Sequence, residues 1–345
     1  MKIGIPTTLI YFSYYPLWKT FFEELGFEVI ASPKTSKEIL DRGVAEAVND
    51  ACVPVKLFHG HVLALKDKVD YLFIPRMVSV TREATFCPKF LGLPDMIKHS
   101  LEGLPGIIDT RIDLKKGQFE LFRVCREIGK KLGKGFWVVS GAYYKALRVQ
   151  KKYQQLLLAK LRPQEALDYL SGKDRAANAP GRLENLPGQP ESLSRGIISS
   201  GRSVPVNLAV VGYPYEVHDS FVSVNLLKHL EAMGVKVWTA EMVPPRELRR
   251  QAKKLPKTLF WHYSNLIIRA AFYYVEQPYI EGIIHLSAFG CGPDAMVDKL
   301  IELEAREKGP VPFMTVTIDE HSGEAGMQTR LEAFVDMVRM RRGAQ

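Results

Sequence analysis

Three of the four cysteines in this chain stand beside a proline, in Cys52-Val53-Pro54, Cys87-Pro88 and Cys291-Gly292-Pro293, where apolar strand or loop sequence gives way to helical sequence. Proline favours the first helical positions, so each cysteine is expected near a helix N-terminus, where free N–H groups and the helix dipole favour a thiolate. Taken singly, each reads as a small buried hydrophobe; the pattern of three points to an iron–sulfur site. Three thiolates around one site leave a fourth position open, as in a 4Fe-4S cluster with an accessible iron. Structural zinc would want four ligands, often from close CxxC pairs, and none is present. A three-ligand zinc site stays open on spacing alone, although all-sulfur ligation with a vacancy leans toward iron. Cys125, between Val124 and Ile128 in helix-like sequence without an adjacent Pro or Gly, reads as core.

Weaker candidates surround these three. Asp319-Glu320-His321 follows a strand, which makes Glu320 and His321 catalytic candidates, His321 as a proton donor. The competing reading is that Asp319 and Ser322 order a turn and cap the last helix. Lys56 and Lys89, each shortly after a cysteine, are placed to offset cluster charge, or else are solvated. His218-Asp219 is placed to reach a cleft, with Asp219 as a helix cap in the alternative. His59, His61 and His262 read as hydrogen-bonded structural groups.

The elements that must position these residues alternate between strand and helix. Lys2–Pro6 reads as a strand, Tyr15–Leu25 as a helix closed by Gly26, and Glu28–Ala31 as a second strand. Helical sequence runs from Ser36 to Asn49 and from Val55 to Lys66, followed by a buried strand at Tyr71–Pro75. The pattern restarts with strand Val206–Gly212, helix Phe221–Met233, strand Val235–Trp238, strand Gly282–Leu286, helix Asp294–Glu307, strand Pro312–Ile318 and helix Ala325–Met340. Cys291 thus falls just past a strand end, and Cys87 after the Tyr71 strand. Cys52 is less clearly placed, because helical sequence precedes it. We expect an α/β protein: an N-terminal domain over 1–117, a helical insert over 118–171, an exposed linker over 172–203 and a C-terminal domain over 204–345.

Bulk properties bound the class. A chain of 345 residues with 46% hydrophobic content exceeds the size of one growing core, so two domains are expected. The start lacks the pattern of a signal peptide and no stretch is long and apolar enough for a membrane span. Four scattered cysteines argue against a disulfide framework, so a reducing, cytoplasmic setting is expected. The net charge of +9, partly in runs such as Lys130-Lys131 and Lys253-Lys254, favours anionic partners. No nucleic-acid fingerprint accompanies it.

Several strings together resemble a known family. They are Gly4-Ile5-Pro6, Tyr15-Pro16-Leu17-Trp18, Cys52-Val53-Pro54-Val55-Lys56, Gly60-His61, Cys87-Pro88-Lys89, Phe289-Gly290-Cys291-Gly292-Pro293-Asp294, the run from Asp319 to Gly326, and Thr329 to Asp336. They resemble the CoA-substrate-specific enzyme activase-related proteins, or CoA protein activases, of the 2-hydroxyacyl-CoA dehydratase and double-cubane cluster protein superfamily. The resemblance covers nearly the whole chain apart from the linker. It implies two flavodoxin-like, Rossmann-like domains with a 4Fe-4S cluster in the cleft between them. It also implies Cys52, Cys87 and Cys291 as ligands and an ATP-hydrolysing activase, carrying its own iron–sulfur cluster, as electron donor.

The chain departs from its longer relatives in lacking their phosphate-binding motifs: no Walker-type GxxxxGK string and no GxGxxG after a strand occurs, so no ATPase activity is expected. The expected function is low-potential one-electron chemistry in anaerobic metabolism, on a CoA thioester, another small substrate or a partner. Pairing of chains as a homodimer or heterodimer would bring two cubanes together. The alternatives are a non-catalytic cluster carrier or scaffold, and a zinc or nucleotide-binding protein with structural cysteines.

Overall fold

Short runs rich in Ile and Val, each followed by helical sequence, build two parallel sheets. The computed structural model describes residues 1–117, 119–172, 205–308 and 311–343; the expected linker lies outside them except for Gly172. In the first half, β1 (Lys2–Ile5) leads to α1 (Tyr11–Glu24), and β2 (Glu28–Ala31) to α2 (Lys37–Glu46) and α3 (Val53–Leu65). Then follow β3 (Tyr71–Phe73), β4 (Arg76–Ser79), α4 (Pro88–Ser100), β5 (Gly106–Ile108) and β6 (Arg111–Asp113). The helical stretch comprises α5 (Phe119–Lys131), α6 (Phe136–Leu158) and α7 (Pro163–Leu170). The second half starts with β7 (Val206–Gly212), the short α8 (Pro214–Val217), α9 (Leu226–Ala232) and β8 (Val235–Thr239). It continues with α10 (Pro245–Ala252), α11 (His262–Val275), β9 (Gly282–Ala288), α12 (Gly292–Glu307), β10 (Phe313–Ile318) and α13 (Glu324–Gly343).

The sheets run β2-β1-β3-β5 and β10-β9-β7-β8, with every pairing parallel. Counted within each half, both follow the doubly wound order 2-1-3-4, whose topological switch point lies between the first and third strands. The molecule is therefore α/β with two Rossmann-like parallel sheets. No helix among the described residues is long and apolar enough to cross a membrane.

Three departures from the sequence expectation have local causes. Pro75 interrupts a strand without ending it: Ile74 and Arg76 donate to the carbonyls of Ile108 and Thr110, and pairing resumes between β4 and β6. The helix expected from Phe221 begins only at Leu226, because Val224 and Asn225 adopt φ of 49° and 55°. Between β8 and β9 the sequence reading placed no helix, yet α10 and α11 stand there. In α11 Tyr263, Ile267, Ile268, Ala270, Ala271 and Tyr274 are all buried, which leaves too little polar face to reveal a period.

Packing ties the parts together. Helix α1 ends in a Schellman turn, with Phe27 N–H donating to Phe22 O and Gly26 at φ 85°. Pro16 inside α1 removes one intrahelical bond and frees the Phe12 carbonyl. The helical insert fills the gap: Tyr153 of α6 donates its hydroxyl to Phe12 O at 2.6 Å, and Gln150 donates to Ser13 O at 2.9 Å. Helices α2 and α3 meet backbone to backbone at Gly43 and Gly60. One apolar cluster takes Ile3, Phe22 and Phe73 from the first half, Tyr143 from the insert and Val211, Ile267 and Ile283 from the second. Another joins Leu40, Val53 and Leu57 to Leu208, Leu286 and Val316.

Candidate functional site

Cys52, Cys87 and Cys291 are the N-cap residues of α3, α4 and α12, and each helix has a proline at its first or second position. Three helix starts from the two halves thus carry one thiol each. Cys291 is delivered by the turn after β9, where Gly290 takes φ 77°; Tyr213 and α8 follow β7, so both sides of the second sheet's switch point contribute. Cys87 is carried across to the second half by backbone pairing, with Thr85 N–H donating to Phe260 O at 3.0 Å and His262 N–H to Thr85 O at 2.7 Å. The three are near enough to act on one another: Cys87 affects Cys52, and Cys52 affects Cys291. Cys125 is buried in α5 with Val124 and Ile128, as expected of a core residue.

The wall around these thiols is aromatic. Tyr263 packs on Phe86, Phe90, Tyr213 and Tyr215 with ring centroids 5.4 to 6.0 Å apart, and Phe90 lies 6.1 Å from Tyr215. The Tyr213 hydroxyl is 4.0 Å from Cys291 Sγ and 3.0 Å from Ser264 Oγ. Burial here outweighs the helix starts. It pushes the Cys52 thiol up to about 11, against the pull of the Val55 N–H, and raises Cys87 and Cys291 as well. The expected thiolate preference is thereby corrected: without a metal these are thiols, because the low-dielectric wall penalises charge more than three N-termini favour it. A bound metal reverses that balance. Among the described residues no group of three or more His, Cys, Asp or Glu is arranged to hold a single metal ion. A cubane makes a different demand, since each thiolate binds its own iron.

Buried carboxyl groups sit behind the cysteines. Glu216 of α8 is 1% exposed; burial, and then the Asp294 charge, raise its pKa well above the usual carboxyl range. Asp294, at the start of α12, accepts from His285 Nε2 at 3.2 Å, and Asp298 accepts from His285 Nδ1 at 2.8 Å. Burial opposes charge on His285, but the two carboxylates raise its pKa to about 9. Its contribution to stability is therefore complete below its unfolded value of about 6.5 and lost as pH rises through 9. Chemical denaturation should show a loss of about 3 kcal/mol between pH 6.5 and 9.5 in the native chain, and His285→Gln should remove this part of the decline.

A cavity of about 460 Å³ opens between the halves, at the carboxyl ends of β1, β2 and β7. Tyr11, Phe12, Val217 and Leu227 give it apolar walls, and Lys34 and Lys228 stand at its lining. His218 and Asp219 reach it, as their sequence position suggested; His218 Nε2 also meets Glu241 at 3.2 Å. A chain of hydrogen bonds crosses the halves beside it. Thr35 donates to Asp219 and so accepts from His61 Nε2–H at 3.1 Å, which leaves His61 Nδ1 to accept from the Ser32 hydroxyl at 2.9 Å. Burial holds His61 neutral, with a pKa near 4. His59 donates to Val55 O at 2.8 Å, and the His262 ring packs on Phe86.

The remaining candidates divide. Lys89 donates to Asp50 O at 3.1 Å and acts on both Cys52 and Cys87, whereas Lys56 is committed to Glu320 at 2.8 Å across the halves. That pairing holds Glu320 below the usual carboxyl range. His321 lies in the turn ordered by Asp319, which accepts from its N–H at 2.9 Å and from the Ser322 hydroxyl. Sequence reading passed over Glu216, Tyr213, Tyr215 and His285. The string Tyr213-Pro214-Tyr215-Glu216 directly after a buried strand, at the position where open sheets bind ligands, was the available signal.

The family model of the CoA enzyme activase uncharacterised domain matches residues 2–243, which include Cys52, Cys87 and Glu216 but not Cys291. No curated protein matches the chain.

Proposed function

Because the chain belongs to the family of the CoA enzyme activase uncharacterised domain, we propose that it is a 4Fe-4S redox protein of the 2-hydroxyacyl-CoA dehydratase type. In this reading it takes low-potential electrons from a separate ATP-hydrolysing activase and reduces a small substrate or a partner. What supports the reading is that Cys52, Cys87 and Cys291 each cap the start of a helix, two from the first half and one from the second, and that Cys52 couples electrostatically to both others. The donor set suits the group: three sulfurs at positive helix ends, in surroundings that leave them neutral until a metal binds.

Cys52, Cys87 and Cys291 would hold the cluster. When bound, such a cluster supplies one-electron transfer through an iron that these cysteines leave without a thiolate. The protein's own contributions are separable. Phe86, Phe90, Tyr213, Tyr215 and Tyr263 belong to the apolar cluster against which the partly buried Cys87 and Cys291 pack, and Lys89 offsets negative charge at Cys52 and Cys87. The interdomain cavity begins one residue after Glu216, at Val217, and offers the substrate apolar walls with Lys34 and Lys228 for an anionic group. A CoA thioester is a substrate class with both features.

Iron and acid-labile sulfide analysis with EPR, on protein purified without oxygen, tests this function. About four irons and four sulfides per chain are expected. A colourless, iron-free protein under those conditions overturns the reading.

A further inference from the structure

The helical insert carries most of the chain's positive charge. Residues 119–158 hold nine Lys and Arg against two Glu, which is +7 of the net +9. Arg126, Lys130, Lys134, Arg148, Lys151 and Lys152 enter no ion pair among the described residues. Beside this charge lies an exposed aromatic patch. Phe119, Trp137 and Tyr144 are 68%, 83% and 62% exposed, and Phe136 and Val138 are half-exposed. The rings are continuous: Phe119 lies 5.9 Å from Phe122, Phe122 6.2 Å from Phe136, and Phe136 5.2 Å from Trp137. Cations stand over them, with the Arg123 guanidinium 5.8 Å from the Phe119 ring and that of Arg126 5.5 Å from the Phe136 ring.

We propose that this face of α5 and α6 docks on an anionic lipid surface. The inference does not depend on the cluster reading. Two features select lipid over an acidic protein face. Phe136, Trp137 and Val138 are consecutive and exposed at the start of α6, so they cover about 200° of the helix circumference. A flat protein face meets only part of that arc, whereas entry of the helix start into a headgroup layer covers all of it.

The second feature is the order of groups along α6. Tyr144, Arg148 and Lys151, all exposed, follow Trp137 at helical spacing and share its outer face. A helix lying at the interface then places Trp137 and Tyr144 at headgroup depth and its cations on lipid phosphates. A second copy of the chain would instead press two basic faces together.

Sedimentation of the native chain with phosphatidylcholine vesicles containing about 30% phosphatidylserine tests the proposal. Binding is expected to weaken about 10-fold or more between about 50 and 500 mM salt, and to be absent with phosphatidylcholine alone. Trp137→Ser, and separately Arg148→Glu with Lys151→Glu, should each weaken binding about 10-fold, and brominated acyl chains should quench a component of the tryptophan emission that Trp137→Ser lacks. All three side chains are exposed, so the variants are expected to fold, which circular dichroism checks. Failure to sediment with the anionic vesicles, or equal sedimentation of Trp137→Ser and the native chain, overturns the inference. So does a native chain that ignores vesicles but binds polyglutamate, because this face then belongs to an acidic protein. An iron-free native chain that still sediments as described upholds this inference while the cluster reading falls.

Discussion

Cys291→Ala, purified without oxygen, is expected to fall from about four irons per chain to almost none and to lose its visible absorption. A cubane with two remaining thiolates, inside a pocket whose burial already penalises thiolates, loses too much binding free energy to persist. Cys52→Ala and Cys87→Ala should behave alike, since the helix starts are equivalent. Cys125→Ala provides the contrast: it should keep all its iron and lose about 1 kcal/mol of stability, as a small core truncation does. Cys291 is the most informative of the set because it lies beyond residues 2–243, where the family resemblance is measured. Full iron retention by Cys291→Ala would show that the second half does not supply a ligand.

Gly60→Ala is expected to be the most damaging small substitution in the first half. A Cβ at Gly60 would stand 1.9 Å from the carbonyl oxygen of Ile39, and one at Gly43 would stand 2.0 Å from that of Lys56. Both obstacles are backbone, so no side chain can turn aside. Helices α2 and α3 must separate, at a cost of about 3 kcal/mol or more. Helix α3 also carries Cys52 at its start, so the same variant should lower iron occupancy. Denaturant midpoints and iron content check the two effects together. Gly92→Ala in α4, where a Cβ meets nothing within 4 Å, should instead stabilise by about 0.5–1 kcal/mol.

Much of this was legible in the order of residues, because the deciding signals were local. The strand runs at Lys2, Val206 and Gly282 have apolar content and clear bounds, and the Cys-Pro pairs announce helix starts whatever the tertiary context. What stayed hidden depended on burial or distance. α11 is buried on too many sides for its period to show, and Pro75 looked like a strand end because a missing N–H reads the same whether or not the neighbouring strand carries on. The thiol chemistry was misread for a related reason: helix placement can be inferred locally, but the aromatic wall is assembled from residues 86–90, 213–215 and 263. Lys56 and Lys89 looked equivalent in sequence. Only the fold shows that one is spent on Glu320 while the other donates to the Asp50 carbonyl and lowers the pKa of two cysteines from there.

The cluster that joins Leu40, Val53 and Leu57 to Leu208, Leu286 and Val316 has a bearing on biosynthesis. The first three residues leave the ribosome well before the strands that cover them. Until β7, β9 and β10 have been made, α2 and α3 expose an apolar face, and the α3 helix start carrying Cys52 lacks its neighbours from the second half. Closure of the apolar core between the halves must therefore follow translation of the last third of the chain, and a nascent first half is the species that needs protection from aggregation.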